Sequence, residues 1–301
     1  MLRPSVTGSP TTAIPGPLLT SRPELAGLPY RGTFGSPRPS ALAGLALPPA
    51  PMPSHQGGRP LKAWRYVGVY GSDLMVCAAS VRVGRARQAF WAVWDRRRGR
   101  LLERTARGHG QVELSPSRLV VRGRGAQVDV SLEEVAGIET VCRSGDAYAW
   151  TRKQGGIRAE GEVRLRDETV PLEARAVIDD TAGYYQRHTA WCWCAGVGTS
   201  TDGREVAWNL VAGVNDPPSA SERTVWIDGE PQEAAPVAFA PDLSRVGELG
   251  FTAEAVREHR ENLLLVRSSY RQPFGRFSGR LPGGLELTTG FGVMEEHDVW
   301  W

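Results

Sequence analysis

Lysine is nearly missing from this chain: of its 36 basic residues only Lys62 and Lys153 are lysines, and the other 34 are arginines. Cysteine is sparse too. Cys77, Cys142, Cys192 and Cys194 are too few to staple 301 residues, so stability must come from a buried apolar core. Cys192 and Cys194 fall on one strand face, too far apart for a relaxed bridge, and free thiols are expected. No apolar run approaches the roughly 18 residues of a membrane-spanning helix, and Met1 to Pro10 lacks the apolar centre of a secretory signal. A cytoplasmic location is the expectation. There is no Gly-x-Ser-x-Gly elbow, Walker loop, strand-linked dinucleotide fingerprint or His-Glu-x-x-His helix. Those absences remove the usual support for hydrolase, nucleotide-binding and zinc-protease chemistry, and no cofactor is expected.

Sustained amphipathic helix is also lacking, and short apolar, aromatic and β-branched runs replace it. Ala63 to Tyr70, Leu74 to Val83 and Ala86 to Trp94 are broken at Gly71-Ser-Asp73 and Gly84, the pattern of a hairpin meander. Similar runs continue to Trp301, separated by Asn215-Asp-Pro-Pro218, Asp228-Gly229 and Pro282-Gly-Gly284, whose residues favour turns. This cadence predicts an all-β protein, sandwich or barrel, with less than about one fifth helix. Only Ala253 to Glu261 reads equally well as helix or strand. Thirteen of the 22 prolines lie in residues 1–60, which predicts an extended arm packing along the body.

Charge is uneven. Residues 82–124 hold twelve Arg against Asp95, Glu103 and Glu113, a balance of +9 in a chain of net +3, which leaves −6 elsewhere. Such a stretch suits solvated strand edges, where charge blocks edge-to-edge pairing; contact with an anionic membrane surface or a role as an interaction scaffold are the alternatives. No specific nucleic-acid partner is expected, and nothing here sets the oligomeric state.

Arg187-His-Thr-Ala-Trp-Cys-Trp-Cys194 and the closing Met294-Glu-Glu-His-Asp-Val-Trp-Trp301 carry the densest chemistry. Strand alternation puts Thr189, Trp191 and Trp193 on one face and His188, Cys192 and Cys194 on the other. His188 and Cys194 lie about 20 Å apart along an extended strand, so these residues do not form a metal site, and none is expected. Glu295 and His297 share a face, where a carboxylate beside an imidazole sets its tautomer and raises its basicity. His188, Glu295 and His297 are the catalytic candidates, expected to meet in one site. Tyr184, Arg187, Trp191, Trp193, Asn209 and Trp226 are the candidate ligand contacts. Each has a plainer reading as core aromatic, turn former or solvated polar residue.

Six blocks fall in a familiar order: Trp64 to Tyr70, Gly183 to Trp193, Asn209 to Asp216, Trp226-Ile-Asp-Gly229, Arg271-Gln-Pro-Phe-Gly275 and Gly292 to His297. Together, over about residues 30–301, they resemble the uncharacterised domain of unknown function 2804 family, common in actinobacteria. More remotely, the paired-Trp strand and the Trp-x-Asp-Gly turn are similar to tandem lipocalin-like proteins such as carotenoid hydratases and tocopherol cyclases. That likeness implies two lipocalin-like antiparallel β-barrels of calycin type, at 61–178 and 179–301, with the site in the second. It also implies an isoprenoid or fatty-acyl ligand. The expected function is binding of such an apolar molecule, the alternative a cofactor-free hydratase, isomerase or cyclase working by acid/base chemistry.

Overall fold

The computed structural model describes residues 22–301 except 109, 110, 167 and 263–266. The first 21 residues of the expected arm, and part of the run expected over Leu263 to Ser269, lie outside the described residues. About 65% of the described residues are strand and 2% helix, so the all-β class is observed.

In chain order the strands are β1 (Tyr30–Thr33), β2 (His55–Gln56), β3 (Arg59–Pro60), β4 (Lys62–Tyr70), β5 (Leu74–Val83), β6 (Ala86–Asp95), β7 (Arg100–Arg107), β8 (Val112–Ser115), β9 (Arg118–Arg122), β10 (Ala126–Leu132), β11 (Ile138–Ser144), β12 (Ala147–Leu165) and β13 (Thr169–Gly183). They continue as β14 (His188–Ser200), β15 (Glu205–Ala212), β16 (Thr224–Ile227), β17 (Glu230–Glu233), β18 (Arg245–Val246), β19 (Leu249–Asn262), β20 (Arg267–Arg280) and β21 (Glu286–Trp300). The first sheet runs β7-β6-β5-β4-β13-β12-β10-β9-β8, with β11 and β1 branching from β12. The second runs β17-β16-β15-β14-β21-β20-β19-β18. In both, the opening long strand pairs with the closing one, β4 with β13 and β14 with β21. The topology therefore repeats where no close repeat of sequence is visible. The division expected at 178/179 falls inside β13; the sheets part between Gly183 and His188.

Each sheet curls over its own core. Val67, Val76, Trp91, Val128, Val130 and Ile178 fill the first, Cys194, Trp208, Phe251, Phe277 and Met294 the second. A third cluster holds the sheets together: Tyr66, Met75, Cys77 and Trp94 from the first meet Trp193, Val211, Trp226 and Phe274 from the second. Leu74, Val76 and Ala78 thus face a core while Met75, Cys77 and Ala79 face the other sheet. A strand buried on both sides reads as an unbroken apolar run, as Leu74 to Ala79 does. The equivocal Ala253 to Glu261 stretch lies within β19, where ladder pairing with β20 overrides its helix propensity.

The described part of the arm is docked. Leu25, Leu28, Leu42 and Leu47 pack on Tyr148, Trp150 and Tyr184, and β1 pairs with β11. Arg38 donates from Nε (2.9 Å) and Nη2 (2.6 Å) to the fully buried Glu139 carboxylate, which also accepts from Trp150 Nε1 at 2.8 Å. Arg38→Ala is expected to release this clamp, so limited proteolysis should cut within residues 22–60 several-fold faster; an unchanged cleavage rate would show that the leucine cluster alone holds the arm. Among the described residues, five of the twelve arginines of the basic stretch have an acidic partner: Arg96 with Glu254, Arg97 and Arg98 with Asp95 and Glu168, Arg118 with Asp129 and Arg122 with Glu113.

Candidate functional site

A cavity of about 420 Å³ lies between the two sheets. Its aromatic walls are Trp64 and Tyr66 (β4), Phe90 (β6), Trp191 and Trp193 (β14), Tyr270 (β20) and the terminal Trp301. The site was expected inside the second barrel. Alternation explains the difference: Cys194 and Met294 point into the second core, so their neighbours Trp193 and Glu295 point out, toward the first sheet.

The two sheets build the cavity wall in the same way. On the first, Trp64 stands opposite Thr181 and Tyr66 opposite Asp179. On the second, Trp191 stands opposite His297 and Trp193 opposite Glu295. In each, the indole donates diagonally to the carboxylate, Trp64 Nε1 to Asp179 Oδ2 at 3.2 Å and Trp191 Nε1 to Glu295 Oε1 at 2.9 Å. The two indoles lie nearly parallel, 4° apart with centroids separated by 6.2 Å. Two buried acids thus sit behind one aromatic pair.

The two acids have different surroundings. Glu295 is 8% exposed, and its other oxygen accepts from Tyr270 Oη at 2.8 Å and Gln272 Nε2 at 3.1 Å. Burial pushes its carboxyl above the usual range, against the pull of the Tyr270 and Trp191 bonds. Asp179 lies 2.6 Å from Lys153 Nζ, which is also 3.1 Å from Glu222 Oε1. Burial works against the Lys153 charge, but Asp179 and Glu222 outweigh it and hold the ammonium on. Glu222, buried beside another acid, is raised despite Lys153. Asn215 Nδ2 bridges Glu222 and the Tyr185 hydroxyl, and Tyr185 stacks on Trp64.

Of the nine residues expected in the site, Trp191, Trp193, Glu295 and His297 line the cavity. Asn209 sits behind it, accepting from Trp193 Nε1 at 2.8 Å and so fixing that indole. Trp226 belongs to the contact between the sheets. Tyr184 is turned to the arm, its hydroxyl donating to the Pro53 carbonyl, and Arg187 is exposed. His188 is a correction as well. The closing strand does pair with β14, yet His188 lies opposite Trp300, on the face away from His297. Its ring stacks on Trp300 and its Nε2 is 3.2 Å from both Asp298 oxygens, beside a separate polar crevice of about 450 Å³.

Glu295 and His297 also do not bond to one another. Each turns instead to diagonal cross-strand partners, Glu295 to Trp191 and Tyr270, and His297 through Nε2 to Ser268 Oγ at 2.8 Å. Burial, with Arg257 and His259 nearby and Asp298 opposing, pushes the His297 imidazole down to about 3. It is neutral at physiological pH and a weak base. Missing from the expected set are Trp64, Tyr66, Lys153, Asp179, Glu222, Arg257 and Tyr270, all on the cavity wall.

No curated protein matches the chain. Among solved structures, one from Nitrosomonas europaea assigned to AttH aligns with a TM-score of 0.46 at 12% identity, over 84% of this chain and 98% of that one. Kievitone hydratase from Nectria haematococca aligns at 0.45 and 9%, over 78% and 88%, and CghA at 0.44 and 9%, over 80% and 88%. The Domain of unknown function (DUF2804) family matches residues 103–301, and the chain belongs to it.

Proposed function

We propose that this protein binds an apolar small molecule, of isoprenoid or fatty-acyl type, in the cavity between its sheets. The observation that carries this reading is the wall itself. A space of about 420 Å³ is faced by Trp64, Tyr66, Phe90, Trp191, Trp193 and Tyr270, with Val81, Val83 and Val299 beside them. This is within the size range of small-ligand sites, in which apolar surface supplies affinity and a few polar groups fix orientation. Four indoles on the wall, Trp64, Trp191, Trp193 and Trp301, give a direct readout. Fatty acids, terpenoids and quinones are expected to quench tryptophan fluorescence and raise the melting temperature. Trp191→Leu should weaken binding by about tenfold or more, the usual loss on truncating a buried aromatic contact. Absence of any response across that panel, with a polar nucleotide binding at micromolar strength, would sink the reading.

A second reading, a cofactor-free hydro-lyase or isomerase acting on such a molecule, is favoured by Glu295. Burial keeps its carboxyl toward the protonated form, so it can give a proton to a ligand alkene or carbonyl. Trp191, Tyr270 and Gln272 are already placed to donate to the carboxylate left behind. In that case Glu295→Gln should cut turnover about 10²- to 10⁴-fold while the ligand still quenches.

A further inference from the structure

We infer that the apolar ligand is an acid, whose carboxylate is received by Arg257. The inference rests on the cavity being a small-molecule site. Arg257, on β19, lines the cavity and is 2% exposed. Its guanidinium carbon lies 3.9 Å from the Phe90 ring centroid and 4.8 Å from that of Tyr270, so aromatic faces cover the cation without satisfying its donors. Nη2 donates to Thr105 Oγ1 at 2.8 Å. Nε stands 3.3 Å from Glu103 Oε2 but not in line for a hydrogen bond, and buried Nη1 has no acceptor among the described residues. A guanidinium carries five N–H donors, and buried ones are ordinarily matched. A planar carboxylate is the acceptor its geometry fits best.

The wall carries four acids, Asp179, Glu222, Glu261 and Glu295, each already engaged, Glu261 with His259 Nε2 at 3.4 Å. Lys153 already faces two carboxylates, Asp179 and Glu222. Glu295 is engaged by the neutral donors Trp191, Tyr270 and Gln272 and makes no ion pair with Arg257 among the described residues. At the open end stand Arg87 and Arg107, both exposed, on the paired strands β6 and β7. Neighbouring arginines at a mouth raise the local concentration of anions and so favour entry of an acid over its neutral counterpart.

The test compares each acid with its alcohol at pH 8 by tryptophan quenching: dodecanoic acid with 1-dodecanol, and the diterpene abietic acid with abietinol. The acid of at least one pair is expected to bind about ten- to a hundredfold more tightly, the usual worth of a charge-assisted hydrogen bond. Arg257→Gln should bring that ratio close to one. Glu103→Gln, which removes a half-exposed competitor for the guanidinium, should tighten acid binding several-fold. Equal affinity for acid and alcohol, or a preference that survives Arg257→Gln, would overturn the assignment. Should Arg257→Gln fail to fold, Glu103→Gln decides, and unchanged acid affinity overturns it. If neither acid nor alcohol of either pair binds, the cavity reading itself fails and takes this inference with it.

Discussion

Lys153→Met is expected to cost about 3–5 kcal/mol of folding stability at pH 7, the range found when one partner is removed from a buried ion pair. Lys153 is 1% exposed and lies between Asp179 and Glu222, themselves 7% and 2% exposed. Methionine matches the aliphatic stem, so little packing is lost. What is lost is the only cation within salt-bridge distance of either carboxylate among the described residues. Two adjacent acids in a low-dielectric site cannot both stay ionised, and their folded-state pKa values must rise above the unfolded ones. Stability tied to a raised carboxyl pKa is fully present below the unfolded value and is lost as pH climbs through the folded one. The deficit of the variant should therefore shrink as pH falls from 7 toward about 4, where both acids take up protons. Denaturant unfolding at several pH values measures this directly. A deficit below about 1 kcal/mol at pH 7, or one that grows in acid, would show that the triad does not function as a buried charge cluster.

The rarity of lysine already marks Lys153 in the sequence. In a chain that writes almost every cation as arginine, the two lysines stand out, and both are buried: Lys62 at 2% and Lys153 at 1%. Lys62 Nζ donates to the Tyr185 carbonyl at 2.7 Å, and burial, with Arg59 adding to it, lowers its ammonium to about 8. An ammonium fits a narrow site as a point charge where a guanidinium fork does not.

Strand alternation was enough to group Trp191 with Trp193 and Glu295 with His297, because period two holds along a strand whatever packs against it. It also separated His188 from the two indoles, so placing His188 in their site ran against the rule that grouped them. Alternation could not say which face turns inward. Both faces of β14 and β21 are buried, one against the second core and the other against the first sheet, and only the register between sheets tells them apart. Arg257 escaped notice because Ala253 to Glu261 fits a helix as well as a strand. Read as strand, it sets Arg257, His259 and Glu261 on one face, and all three line the cavity.

Acidification is expected to destabilise the protein through His297, by at most about 2 kcal/mol at pH 5 and more below. The imidazole is pushed down to about 3, chiefly by burial, from an unfolded value near 6.5. A group whose folded pKa is depressed contributes stability that is present above the unfolded pKa and lost as pH falls toward the folded one. For His297 the window runs from about 6.5 down to about 3. A pH of 5 lies about 1.5 units below the unfolded imidazole's pKa, which at about 1.36 kcal/mol per unit gives the upper figure. Part of the ring surface opens on the cavity, where water can relieve some of the penalty, so the measured loss should fall short of that bound. His297→Gln keeps a hydrogen-bonding partner for Ser268 and removes the titration. The native protein and the variant should differ little in how stability changes between pH 8 and 7, then diverge below pH 6.5, the variant losing less. The raised carboxyls of Glu222 and Glu295 carry the opposite sign, since they gain protons in the folded state first, and they are common to both proteins. Subtracting one stability curve from the other therefore isolates the imidazole. A difference curve that stays flat from pH 7 to 4 would mean that His297 titrates in the folded protein as it does in the unfolded chain, and that the cavity wall around it is wet.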